Sequence, residues 1–470
     1  MIECWKETRP AGPRRFLVAL THPLHCRNWT ASGVLSTLVQ HGHILTLLVP
    51  AALVWDIRAR VVSPVTVLPW EPYAGGRFVR WLRQGPLRMA SVVARAARGE
   101  RTYTHKLSLQ RPWRSRVVIA GCRLVQAWTD AERAAAWVEA RLPVPSALRT
   151  LVRLHDCVVV PTFLHTGAED GLVRAAHDAK VPVVAQAATW DCLISKGGFL
   201  ARPDWLLVWG EQSLAHAIQR HQFFPGQVRI TGPPQFDMYA QAAPGASATP
   251  PGILIAGTSL HYWDDELGVV RFLADRFEGR ARIHYKPHPR RWHRFVSFHV
   301  PPAVRVHEWG ASYVDCSPET LQRYRWLLDQ VACVVTAWST LALEGALLGK
   351  PALLVGFGRG VGPYGQWEHI APVLDWPGVT VCPTPDALIR AVERVLAGVD
   401  PTVALGLREH AQQIAHCLDG QAVARTVAAL EEIAAGAQAP LPGPLRPGPS
   451  GLRWPEILLC PSPLPVQSLP

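Results

Sequence analysis

Residues 332–351 read ACVVTAWSTLALEGALLGKP. The opening run, Cys333–Thr336, is apolar and β-branched, and this predicts a buried strand. Trp338-Ser339-Thr340 interrupts it. A hydroxyl pair ahead of an Ala/Leu-rich segment predicts a capped helix start, whose free amides attract anions. Glu344 follows about one turn later and can accept from ribose hydroxyls if it faces a cleft. A second stretch, Ile283–Arg291 (IHYKPHPRR), ends another strand on Lys286-Pro287-His288-Pro289. The prolines fix the backbone and cannot continue a ladder. They hold Lys286 and His288 at the strand end, where a cation neutralises phosphate charge and a His donates to phosphate oxygen. Arg290 and Arg291 add fork-shaped donors. The two stretches together predict an anionic ligand, a nucleotide diphosphate. The bland reading is an ordinary N-cap beside a solvated Pro-rich turn.

The chain around these stretches is 470 residues long, with 49% hydrophobic and 18% charged residues. That length predicts more than one core. The longest apolar run, Ile44–Trp55, is too short to span a bilayer. The first fifteen residues, MIECWKETRPAGPRR, lack the apolar core of a secretory signal. Ten cysteines occur singly with no CxxC pair, which disfavours a zinc site or a disulfide framework. The expectation is a cytoplasmic protein. Net charge is +12 and uneven: residues 72–116 hold ten Arg and one Lys against one acid, Glu100. Phe78, Trp81, Leu82 and Leu87 are interleaved with these arginines. The segment is a candidate to meet an anionic membrane surface at the inner face of the plasma membrane; a solvated basic excursion is the alternative.

Short apolar runs predict strands at Phe16–Leu20, Ile44–Val49, Val61–Leu68, Cys157–Pro161, Val183–Gln186, Trp205–Trp209 and Val228–Ile230. After a small, uncharged, Pro-rich stretch (AQAAPGASATPPG, 240–252) they restart at Ile253–Ala256, Ile283–Tyr285, Val304–His307, Cys333–Thr336, Leu353–Val355 and Val379–Cys382. Helical patterns alternate with them, so each series predicts a parallel sheet with helices on its faces. Thr21–Ser32 reads as a loop, Gly33–His41 as a helix, and Arg116–Arg141 as one long helix. The predicted fold is α/β, two Rossmann-like doubly wound domains facing a cleft. Its parts are an N-terminal tail (1–14), an acceptor-side domain (15–239) carrying the basic excursion, and a linker (240–252). A nucleotide-donor domain (253–415), a closing helix (416–436) and a Pro-rich disordered tail (437–470) follow. In such sheets ligands bind beyond the carboxyl ends of the strands.

Other polar clusters fall at such ends. Gly257-Thr258-Ser259 follows the first strand of the second series and can approach a phosphate closely. In the first series, Gly33 opens a helix near Asn28, a wall for an acceptor. Glu169-Asp170-Gly171 opens a helix after Cys157–Pro161, and Asp191 lies beyond another strand. Each of these three acids is a candidate base for an acceptor hydroxyl; acids at a helix start are also expected electrostatically. No DxD-type metal pair follows a strand. Asp264-Asp265-Glu266 reads as the acidic first turn of a helix, so no metal and no cofactor is expected. GxGxxG and GxxxxGK[ST] are absent, which disfavours dinucleotide redox chemistry and P-loop hydrolysis.

The motifs ATWDCLISKGGF (188–199), PDWLLVWGEQ (203–212), VRITGPPQFD (228–237), YKPHPRR (285–291) and AWSTLALEGALLGKP (337–351) resemble bacterial GT-B-fold glycosyltransferases of surface and capsular polysaccharide synthesis. Asp419-Gly420 to Arg425 resembles their closing segment. The His-Pro and Ser-Thr pairs are similar to those of polysialyltransferases, where they contact the donor nucleotide, and an acidic pair before Gly there supplies the base. CDP-glycerol glycerophosphotransferases share the Lys-Pro-His-Pro element and the hydroxyl pair. UDP-N-acetylglucosamine 2-epimerases share the fold but not this combination.

The resemblance implies a metal-independent glycosyltransferase moving a sugar from a nucleotide-activated donor to a cell-surface polysaccharide or lipid-linked acceptor, without specific nucleic-acid binding. Glu169, Asp170 and His288 would be catalytic. Gly257, Thr258, Ser259, Lys286, Arg290, Ser339, Thr340 and Glu344 would bind the donor, with Asn28, Gly33 and Asp191 on the acceptor side. The alternatives are a CDP-glycerol-type glycerophosphotransferase, a 2-epimerase-like enzyme and a non-catalytic GT-B-like scaffold.

Overall fold

The described residues form thirteen short strands, most of them Val-, Ile- and Leu-rich, the pattern of strands covered on both faces. The computed structural model describes residues 12–61, 64–109, 112–161, 164, 169–240, 250–258, 263, 265–289, 300–309, 318–358, 361–362 and 364–437. Ser259, Arg290, Arg291 and Asp264, most of the expected linker and nearly all of both expected tails lie outside them.

The first seven strands are β1 (Arg15–Ala19), β2 (Ile44–Val49), β3 (Val65–Pro69), β4 (Cys157–Val160), β5 (Val183–Gln186), β6 (Trp205–Val208) and β7 (Val228–Ile230). They form one parallel sheet in the order β3-β2-β1-β4-β5-β6-β7. The next six are β8 (Gly252–Ala256), β9 (Arg282–Lys286), β10 (Val304–Val306), β11 (Val331–Thr336), β12 (Ala352–Val355) and β13 (Val379–Cys382). They form a second parallel sheet, β10-β9-β8-β11-β12-β13. Two doubly wound, Rossmann-like domains result, as the strand rhythm predicts.

Each sheet reverses its strand order once, at β1/β4 in the first and at β8/β11 in the second. The crevice outside such a reversal is where open α/β sheets take ligands. Register brings the Lys286-Pro287-His288-Pro289 and Ser339-Thr340 motifs there. Ala256, the last residue of β8, pairs with Lys286, the last of β9. Thr336 ends β11 alongside, and its hydroxyl donates to the Ala256 carbonyl at 2.8 Å.

Alternation along each strand sorts side chains into two layers. Ile253, Ile255, Tyr285, Val335 and Val355 face one side of the second sheet, while Leu254, Ala256, Val334 and Leu354 face the other. The helix Ala422–Ala434 returns to the first domain and buries Val427, Leu430 and Ile433 with Phe16, Val18, Leu45 and Leu47. Asp237 caps it, accepting from the Ala422 and Val423 amides at 2.9 and 2.8 Å.

Two local readings are corrected. Residues 23–32 are a helix, Pro23–Ser32, rather than a loop. Pro23 occupies its first turn and the His22 ring accepts from the Leu24 amide at 3.2 Å. The expected long helix over 116–141 is two, Trp113–Trp128 and Ala131–Glu139. Asp130 divides them by capping the second, accepting from the Arg133 amide at 2.9 Å.

The basic excursion is partly paired with acids. Three of its ten arginines pair with acids outside the 72–116 window, two of them inside the protein. Arg83 is buried and pairs in two-pronged fashion with buried Glu139 at 2.7 and 2.9 Å. Arg95 meets Glu132 at 3.1 Å, and Arg98 meets Asp130 at 2.6 Å and Glu132 at 2.7 Å. Burying Arg83 and Arg95 requires such partners. The helix Arg101–Ser108 docks onto the second domain, where Glu368 accepts from the Arg101 amide at 2.6 Å and the Trp367 indole donates to His105 at 3.0 Å. Among the described residues, no helix is long and apolar enough to cross a membrane.

Candidate functional site

A cleft of about 190 Å³ opens where the carboxyl ends of the two sheets face each other. Asn28 and Arg27 come from the helix Pro23–Ser32, and Thr189 from the loop after β5. Gly257, Lys286, Pro287 and His288 follow β8 and β9. Ser339, Thr340 and Glu344 come from the turn and helix after β11. The cleft thus gathers Asn28, Gly257, Lys286, His288, Ser339, Thr340 and Glu344 from the residues singled out in the sequence.

The Lys-Pro-His-Pro turn is held from behind. The Gly257 amide donates to the Lys286 carbonyl at 2.9 Å. A Cβ at Gly257 would lie 2.5 Å from Glu266 Oε1 and 2.8 Å from the His288 backbone nitrogen, so only glycine fits. Glu266 is fully buried; it accepts from the Thr258 amide at 2.9 Å and the Tyr285 hydroxyl at 2.5 Å. Thr258 is buried in this brace and does not line the cleft.

Lys286 is 3% exposed, and its ammonium lies over the rings of Trp309 (5.0 Å) and Tyr324 (6.0 Å). Burial, reinforced by the Arg27 charge, pulls its pKa down to about 8. Arg27 lies 5.7 Å from the same Tyr324 ring and donates to the Asn28 side chain at 2.9 Å. Two cations thus approach one another across the cleft, which an anion between them would relieve. Ser339 caps the helix Thr340–Leu347, accepting from the Leu341 amide at 3.3 Å, so the helix start faces the same cleft.

Glu344 lines the cleft and receives the Tyr239 hydroxyl proton in a short hydrogen bond. Burial pushes its pKa up to about 7, against the Tyr239 hydrogen bond and the Arg27 charge. Tyr239 is itself buried beside Phe236.

The acids of the first domain lie elsewhere. Glu169 is fully buried beyond β4 and accepts from the Thr21 hydroxyl, which follows β1. It therefore sits at the strand reversal of the first sheet. Asp170 is buried beside it; burial, then the Glu139 charge, pushes its pKa up to about 8, and it accepts from the Ala201 amide at 3.1 Å. Asp191 is engaged on both oxygens, by Thr189 at 2.5 Å and by Ser195, with Lys196 at 3.4 Å. Burial opposes its charge, but Lys196, His369 and these hydroxyls outweigh it and hold the carboxyl well below the usual range. Gly33 joins two helices in a left-handed conformation (φ 97°) and does not line the cleft.

Arg27, Tyr239, Trp309 and Tyr324 were not singled out in the sequence. Arg27 adjoins Asn28, and Pro23 after His22 is the available sign of a helix that carries both. Among the described residues, His41, His43 and Glu431 could present three ligand atoms to a cation. His43 Nδ1 accepts from the Arg14 amide at 3.1 Å, so its proton is on Nε2, directed at Glu431 Oε1 2.8 Å away. That tautomer fastens the C-terminal helix and turns no lone pair toward a metal.

No model of a known protein family matches the chain, and no curated protein does. Solved structures do. CalG4, the calicheamicin glycosyltransferase, matches with a TM-score of 0.51 at 15% identity, covering 92% of this chain and 100% of its own. A protein assigned as a UDP-N-acetylglucosamine 2-epimerase from Listeria monocytogenes matches with a TM-score of 0.52 at 9% identity, over 91% and 99%. The glycotransferase of kitacinnamycin matches with a TM-score of 0.50 at 13% identity, over 90% and 99%. At these identities the likeness is one of fold: the chain has the GT-B arrangement of two Rossmann-like domains.

Proposed function

We propose that this chain is a glycosyltransferase that takes a sugar from a nucleotide-diphosphate donor and passes it to a hydroxyl-bearing glycan or lipid-linked acceptor. The observation that carries the reading is the cleft itself. Lys286, His288 and the Ser339-capped helix start face Arg27 and Asn28 across a gap between two strand reversals.

In the reaction, the acceptor oxygen bonds to the anomeric carbon as the sugar–phosphate bond breaks. The electron pair goes to the departing phosphate. Lys286, Arg27 and His288, with the amides before Leu341, take up that charge in place of a metal. Glu344, steadied by Tyr239, holds a hydroxyl of the ribose or sugar. None of the three candidate acids lines the cleft; Glu169, at the strand reversal of the first sheet, would take the acceptor proton only once its bond to Thr21 opens and the acceptor reaches it. Asp170 is the poorer base because it stays protonated to about pH 8, and Asp191 is already engaged on both oxygens.

A 2-epimerase-like reading shares the fold and uses the same donor cleft; it needs no acceptor. Nucleotide release from a panel of nucleotide sugars, with and without glycan and lipid-linked acceptors, separates the two. Acceptor-dependent release supports the transferase. Free UDP formed from UDP-N-acetylglucosamine alone transfers the assignment to the epimerase class. Neither release nor binding with any nucleotide sugar or CDP-glycerol sinks the enzymatic reading.

A further inference from the structure

We infer that the helix Trp113–Trp128 is a docking surface for an anionic lipid bilayer, on which it lies flat. The helix has sixteen residues, WRSRVVIAGCRLVQAW, and packs by one side only. Ile119 and Cys122 are buried in an apolar cluster with Leu87, Ala90, Val93 and Ala94. The opposite side carries Trp113, Val117, Ala120, Leu124 and Trp128, spaced four, three, four and four residues apart. At about 100° per residue that spacing makes one continuous stripe, roughly 22 Å long. It is open: Trp113 is 69% exposed, Leu124 68% and Trp128 90%. A contiguous apolar strip of this kind marks an interaction site.

Charge selects the occupant. Arg114, Arg116 and Arg123 are exposed and flank the stripe on both edges. No acidic residue occurs anywhere from Arg101 to Thr129. A second copy of the chain would bring like charges together along the stripe. A bilayer with anionic headgroups satisfies every part of it. The Trp rings settle at the boundary where one end is apolar and the other wet. The Val and Leu side chains enter the acyl edge, and the arginines reach headgroup phosphates while their stems stay apolar.

The arginines that the fold buries, Arg83 and Arg95, take no part. The surface is therefore displaced from the basic window 72–116 towards its far end and beyond. Phe78 and Trp81, stacked with ring centroids 5.8 Å apart, stand exposed earlier in the same helical excursion and form a second aromatic contact. The inference does not depend on the donor assignment.

Vesicle flotation of the full-length chain tests it, using phosphatidylcholine vesicles with and without phosphatidylglycerol, at low and high salt. The chain is expected to float with the anionic vesicles, less so at high salt, and not with the neutral ones. Neutralising Arg114, Arg116 and Arg123 to Gln is expected to lower partitioning on the order of 100-fold. Changing Trp113, Leu124 and Trp128 to Ser is expected to abolish flotation. These side chains are exposed, so the unfolding midpoint of both variants should match the parent, and a third variant, Phe78→Ser with Trp81→Ser, gives a partial loss. Undiminished flotation of the first two variants, or equal binding to neutral vesicles, overturns the inference. So does a dimer in sedimentation that the Trp128 change dissolves and lipid does not.

Discussion

The Lys286 ammonium lies 5.0 Å from the centre of the Trp309 ring, where burial and then the Arg27 charge disfavour its protonated form. A buried cation in this setting is costly until an anion arrives. Its pKa is down at about 8, so the unliganded protein loses the charge as pH rises through 8. A bound diphosphate restores it. Affinity for a nucleotide sugar is therefore expected to be steady below pH 8 and to fall above it, by up to about tenfold per pH unit. Titration calorimetry from pH 6.5 to 9.5 checks this. Lys286→Met should flatten the profile, weaken binding and raise the unfolding midpoint of the free protein, because it removes the buried charge.

Tyr239 and Glu344 form the brace on the other wall. Tyr239→Phe leaves the carboxylate without its donor and is expected to cost about 1–3 kcal/mol. The loss should be greater at pH 8, where Glu344 is ionised, than at pH 5.5, where it is protonated. Chemical denaturation at the two pH values measures the difference; equal losses would mean that the bond does not involve the charged carboxylate.

Gly257 and Gly121 make a contrasting pair. Alanine at Gly257 collides with Glu266 and the His288 backbone, so Gly257→Ala is expected to destabilise by about 1–3 kcal/mol and to weaken donor binding. Nothing lies within 4 Å of a Cβ at Gly121, inside the helix Trp113–Trp128. There Gly121→Ala should stabilise by about 0.5–1 kcal/mol. Denaturation midpoints decide both.

Asp170 has a raised pKa, so the folded state keeps a proton that the unfolded chain releases above about pH 4. Stability from this group is lost as pH rises from about 4 to 8, at no more than about 1.4 kcal/mol per pH unit. Asp170→Asn keeps the acceptor for the Ala201 amide and removes the titration. Its stability relative to the parent should grow steadily across that range. A pH-independent difference would place the carboxyl in its ordinary range.

The strand pattern was legible because buried parallel strands need continuous apolar runs, and every strand read from the sequence has a counterpart in the two sheets. The gathering of Lys286, His288, Ser339 and Thr340 at one cleft was legible for a related reason. Lys286-Pro287-His288-Pro289 and Ser339-Thr340 are local motifs at strand ends, and register alone brings Ala256 beside Lys286. Long-range pairings were not legible. Arg83 and Glu139, or Tyr239 and Glu344, meet only when distant elements pack. The helix Pro23–Ser32 escaped because its buried side mixes His25, Cys26, Asn28 and Trp29, which gives no apolar stripe. For the same reason the burial of Arg83 and Arg95 was not legible: their partners Glu139 and Glu132 lie beyond the basic window.

On the proposed function, Lys286 and His288 hold the phosphate of a nucleotide-activated donor. Titration calorimetry with a panel of nucleotide sugars and CDP-glycerol, on the parent chain, His288→Ala and Lys286→Met, tests it most directly. The parent is expected to bind at least one class of donor, and each substitution to weaken that binding by about 10- to 100-fold, as loss of a charge-assisted contact does. Unchanged affinity in both variants, or a parent chain that binds none of these donors, would contradict it.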